Sequence, residues 1–127
     1  MGLRSPLGRV RGLGSAKDGT GHWWAQRLTA LALIPLALWF CIAVIAKTGA
    51  DYATFAAWAG SPVVAGLLIL LVGTTFYHAA LGVQVVIEDY VHHEAAKLVL
   101  VLAVKTALLL MALAGILSVL LLLFARV

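Results

Sequence analysis

Residues 62–94 read PVVAGLLILLVGTTFYHAALGVQVVIEDYVHHE, and this stretch decides the fold. From Pro62 to Ile87 it is almost wholly apolar, and it closes on a polar group made of Glu88, Asp89, Tyr90, His92, His93 and Glu94. As a helix rising about 1.5 Å per residue, such a run crosses a hydrocarbon layer roughly 30 Å thick. Ser61 suits the N-cap and Pro62 the first turn, where a missing N–H costs nothing. Working outward, an apolar run from about Trp24 to Ala46 precedes it and another from about Lys97 to Phe124 follows. The expectation is an all-α integral membrane protein with spans about 24–46, 62–87 and 97–124. Trp23 and Trp24 mark one membrane edge, and Pro35 should kink the first span mildly because it cannot donate to the carbonyl of Leu31.

Composition points the same way. Of 127 residues, 64% are apolar and 11% charged, against roughly half and a quarter in soluble domains. Three spans leave no room for a soluble catalytic domain. The single cysteine, Cys41, lies within an apolar run, so neither a disulfide nor a cysteine metal site can be built, and it reads as a small buried residue.

The charges are few and unevenly placed. Arg4, Arg9, Arg11, Lys17 and Arg27 precede or open the first span, whereas the loop after it offers Lys47 and Asp51; Lys97 opens the last span and Arg126 follows it. The positive-inside rule then puts the N-terminus and the loop around His92 on the cytoplasmic side, or the equivalent matrix side. The net charge of +4 calls for no nucleic acid, since a basic arm sets orientation and touches anionic headgroups of membrane lipid. Residues 1–21, rich in glycine, read as an extended cytoplasmic arm, and 22–127 as the membrane domain. The arm lacks the apolar stretch of a signal peptide, and Pro6 stands where a myristoylation signal needs Ser or Thr.

Three groups carry chemistry. His78 lies about 12 residues, roughly 18 Å of helix, from Tyr90 at the membrane edge. An ionisable group at that depth faces a partner, a cavity or a cofactor. It suits either a hydrogen bond across a helix interface or a haem iron, and Gly82, one turn on, would let a flat macrocycle or another helix approach. Asp89 and Tyr90 sit at the water boundary, where a phenol can donate to a quinone carbonyl and a carboxylate can relay protons. They equally suit a tyrosine of the aromatic belt and a solvated aspartate, or one paired with Arg27. In residues 21–30, GHWWAQRLTA, Arg27 can snorkel or bind a carboxylate such as a haem propionate, with His22 assisting. Lys105 reads as a snorkelling lysine, and His92 and His93 as a solvated loop.

Residues 78–90, HAALGVQVVIEDY, resemble the signature of the hydrophobic membrane-anchor subunit, the D subunit, of succinate dehydrogenase. The pattern is His, three residues, Gly, one residue, Gln-Val, three residues, Asp-Tyr; Arg27-Leu28-Thr29-Ala30 and the three spans match the family as well. The resemblance implies three helices that pack with a companion three-helix cytochrome b subunit, the C subunit, beside an iron–sulfur subunit and a flavoprotein. It further implies that His78 is an axial ligand of a haem b shared with the C subunit, and that Arg27, and by extension His22, lie near the haem propionates. Tyr90 would hydrogen-bond a ubiquinone carbonyl, with Asp89 beside it. The implied activity is electron transfer from succinate, oxidised elsewhere in the complex, to ubiquinone. The implied place is the bacterial cytoplasmic (inner) membrane, with the mitochondrial inner membrane second. Two rival readings are an anchor of the related fumarate reductases and a structural three-span protein without cofactor.

Overall fold

The computed structural model describes residues 19–125 together with Leu7 and Val10. Four helices follow one another: α1 Gly19–Ala46, α2 Tyr52–Ala59, α3 Pro62–Tyr90 and α4 Glu94–Phe124. The three long ones, of 28, 29 and 31 residues, are long and apolar enough to cross a membrane, as the sequence leads one to expect.

Each long helix outruns its expected span. α1 starts at Gly19, so the supposed arm is already helical over its last three residues, and Leu7 and Val10 are helical too. The glycine penalty of up to about 1 kcal/mol per residue does not stop a helix that continues into a strongly apolar segment. Arg4, Arg9, Arg11, Lys17 and Arg126 lie outside the described residues. Pro35 sits within α1, which continues through it. α3 runs on to Tyr90, and α4 begins at Glu94, capped by His93, whose Nδ1 accepts from the Ala96 N–H at 3.4 Å. His93 is therefore a helix cap rather than a residue of an unstructured loop, and His92 precedes it, exposed.

The stretch from Lys47 to Ser61 is more ordered than a loop. α1 ends in a turn at Gly49, whose φ of +84° favours glycine. Asp51 then caps α2, its carboxylate accepting from the Thr54 N–H at 2.9 Å. The bonds with Thr54, side-chain first, hold the Asp51 carboxyl below its ordinary range. Ser61 takes the N-cap position of α3 with Pro62 next. Its hydroxyl, however, makes no bond to α3 and donates to the Trp58 carbonyl at 2.8 Å, closing α2 instead.

α3 is the centre of the molecule. α1 packs on it, α4 packs on it more extensively, and α2 bridges α3 and α4. Small residues allow the close approaches: a Cβ on Gly115 of α4 would lie 3.1 Å from Val72 Cγ1, and one on Gly60 would lie 2.5 Å from the Leu122 carbonyl oxygen. Burial is sparse. Ala65, Leu68, Leu81 and Ile87 of α3 are buried, as are Ala59 and Ala112, whereas α1 buries no residue. Large apolar side chains face outward along every span. Such a surface suits lipid and further helices, not water. Cys41 is among the outward-facing residues, which corrects its expected burial.

Candidate functional site

The site lies in the seam between α1 and α3. His22, Gln26 and Thr29 are spaced by four and three residues, so they share one face of α1. That face meets His78 and Gly82 of α3. Thr29 Oγ1 lies 2.8 Å from His78 Nδ1, and Gln26 Nε2 lies 3.2 Å from His78 Nε2. A Cβ on Gly82 would stand 3.6 Å from the Gln26 amide nitrogen. His78 is thus tied by both ring nitrogens to α1.

Donor and acceptor counting selects one form of the ring. The Thr29 hydroxyl is 2.7 Å from the Ala25 carbonyl and 3.1 Å from the Gln26 carbonyl. Both are pure acceptors, so the single hydroxyl proton points to one of them, and the lone pairs of Oγ1 are left for His78. The proton between Oγ1 and Nδ1 must then be the one on Nδ1. Nε2 carries the lone pair and accepts from the Gln26 amide. A proton on Nε2 would instead face the amide hydrogens donor to donor.

Two polar atoms in this seam have no partner. Gln26 Oε1 and His22 Nε2 are buried and make no hydrogen bond among the described residues. An orphaned buried polar atom costs about 1–3 kcal/mol, and these two stand one turn apart on α1.

Arg27 points away from the seam. It is exposed, with its guanidinium carbon 5.5 Å from the centroid of the Trp23 ring. The stacking holds it on the outer side of α1, in the third turn and one residue on from Gln26. Asp89 and Tyr90 are exposed at the last turn of α3. Asp89 and Arg27 are not paired; among the described residues the ion pair is Lys97 with Glu94, at 3.1 Å. Lys105 is exposed and lines a groove between α3 and α4 with Gly73, Tyr77, Leu81 and Ala112, away from the α1 seam.

The structure therefore brings His78, Gly82 and the α1 face carrying His22 together, and leaves Arg27 exposed on α1 and Asp89 and Tyr90 on the last turn of α3. Gln26 is an addition that the sequence did not single out, and Thr29 stood in the Arg27–Ala30 motif without a role of its own. The available signal was a row of three polar side chains, His22, Gln26 and Thr29, at helical spacing on an otherwise apolar helix.

Comparison with known proteins gives the chain's relatives. The chain is 36% identical to the succinate dehydrogenase hydrophobic membrane anchor subunit of Rickettsia bellii over 103 residues, 81% of this chain and 82% of that one. It is 32% identical to the subunit of the same name from Paracoccus denitrificans over 100 residues, 79% of this chain and 78% of that one. The succinate dehydrogenase membrane anchor subunit of Reclinomonas americana is 29% identical over 100 residues, 70% of this chain and 77% of that one. With residues 1–114 matching the family as a whole, the chain belongs to the succinate dehydrogenase/fumarate reductase transmembrane subunit family.

Proposed function

We propose that the chain is the hydrophobic membrane anchor of a succinate dehydrogenase in a bacterial inner membrane, contributing half of a haem b site and part of a ubiquinone site. The observation that carries the haem reading is His78, deep in an apolar span, with Nδ1 on the Thr29 hydroxyl and the lone pair of Nε2 free of the ring's own proton. That is the form of imidazole that binds iron, with the second nitrogen fixed by a hydrogen bond. The partnerless atoms of His22 and Gln26, and the bare backbone at Gly82, fit a flat group sharing the seam.

In this reading His78 would hold the haem iron through Nε2, and Gln26, now 3.2 Å from that nitrogen, would turn aside. Gly82 gives the macrocycle room. Arg27 and His22, on the cytoplasmic half of α1, would balance the propionate charges. Haem b, when bound, supplies a one-electron store near the quinone. Tyr90 donates its phenol proton in a hydrogen bond to a quinone carbonyl at the membrane edge, and Asp89, exposed to water beside it, passes on protons taken up during reduction. The N-terminus faces the cytoplasm, residues 1–21 form the arm there, and 22–127 anchor the complex. A C subunit of cytochrome b type, the iron–sulfur subunit and the flavoprotein complete the assembly, and succinate is oxidised on the flavoprotein.

His78→Ala tests the reading. The purified complex should lose most of its b-type haem band at unchanged subunit stoichiometry. A parental spectrum would leave His78 as a residue that only joins α1 to α3, the role a structural three-span protein would give it. The fumarate reductase alternative shares the site and differs in the direction of electron flow.

A further inference from the structure

We infer that Thr29 is a positioning residue for the His78 imidazole: its hydroxyl, held on the α1 backbone, accepts the Nδ1 proton and so fixes both the tautomer and the donor strength of the ligating nitrogen. The inference rests on His78 being the haem ligand and deepens that assignment.

Three distances make the device. Oγ1 is 2.7 Å from the Ala25 carbonyl, which takes its proton, and 2.8 Å from Nδ1, whose proton it takes. The 3.1 Å approach to the Gln26 carbonyl keeps the hydroxyl on the same side whichever carbonyl it serves. In an apolar span there is no water to replace this acceptor, so without it the ring gains nothing from carrying its proton on Nδ1. A free ring could then turn or shift its proton to Nε2, which cannot bind iron. The hydroxyl also adjusts the iron. A hydrogen bond accepted from Nδ1–H raises the basicity of Nε2 and favours the ferric state.

Removing the acceptor should therefore raise the haem potential. In Thr29→Val the side chain keeps its shape and loses its oxygen. The ferrous-to-ferric ratio at fixed potential should rise by about twofold to tenfold, a shift of about 20–60 mV at 59 mV per tenfold for one electron. Thr29→Ser keeps the oxygen and should stay at the parental potential.

The test is a potentiometric titration of the haem band, with electron paramagnetic resonance of the ferric form, on the whole purified complex carrying Val or Ser at position 29. A raised potential in Val with a parental value in Ser supports the inference, as does haem lost from Val and retained by Ser. It is overturned if Val titrates as the parent does, or if Val and Ser shift or lose haem alike, which would assign the effect to packing. His78→Ala, measured in parallel, separates the two levels. Loss of haem there with a parental Val variant removes only Thr29, whereas retention of a parental spectrum removes the ligand assignment itself.

Discussion

Tyr90 shows how little of a residue's role is fixed by its own surroundings in this chain. It stands on the last turn of α3 with 79% of its surface exposed, which suits a belt tyrosine as well as a quinone donor. Its neighbours in sequence, not its contacts, carried the resemblance. Tyr90→Phe keeps the ring and removes the donor, so the two roles separate. A neutral hydrogen bond is worth about 0.5–1.5 kcal/mol net, and quinone reduction should fall by about twofold to tenfold. Succinate oxidation with a soluble acceptor, assayed on the same preparation, should barely change. A parallel fall in both would make Tyr90 an assembly residue, and no fall in either would pass the quinone carbonyl to another donor. His78 is the opposite case. Its place in an apolar run was legible from hydropathy, but its partners were not, because a glutamine and a threonine in an apolar helix are ordinary until the topology lays them against an imidazole.

At the scale of elements, the spans were legible, as were their ends at Ala46, Pro62 and Phe124, whereas the ends at Gly19, Tyr90 and Glu94 were not. Hydropathy reports where a helix is embedded in lipid, whereas hydrogen bonding continues past that boundary, as at Gly19 and Tyr90. α2 escaped notice because its signal is a single cap, Asp51 on the Thr54 N–H, before eight residues with no polar face. Its position has a sharp consequence. Gly60 is buried where α2 ends, and a Cβ there would lie 2.5 Å from the carbonyl oxygen and 2.9 Å from the carbonyl carbon of Leu122. Backbone cannot yield as a flexible side chain does, so Gly60→Ala must push α2 and α4 apart. Overpacking of this kind costs about 1–3 kcal/mol. The complex should show a lower thermal unfolding temperature in detergent, with an unchanged haem spectrum, since the α1–α3 seam involves neither α2 nor the end of α4. Parental thermal stability would mean that α2 docks elsewhere.

The whole molecule is a sheet of helices rather than a closed bundle. α1 and α4 each pack on α3, and α1 buries no residue, so one flank of the His78 seam is a single helix with its outer face uncovered. On the proposed reading a low-spin haem b would need two protein ligands, and among the described residues His78 is the seam's one histidine with a lone pair directed at its neighbour. His22 sits one turn beyond Gln26 toward the membrane edge, while His92 and His93 lie past the end of α3, where no ring nitrogen can face His78 across a macrocycle. On the proposed reading the second ligand would come from another chain, and the uncovered side of the seam is where it can approach. Expressed alone, the chain should insert into the membrane and show no low-spin b-type band; expressed with a companion cytochrome b subunit, it should show one haem per pair of subunits. Absorption spectra of washed membranes, with haem and subunits quantified after purification, decide the matter. A low-spin haem on the lone chain would place both ligands within it and end the shared-site assignment. Absence of haem from the assembled pair would leave His78, Gln26 and Thr29 as a polar clasp between two helices.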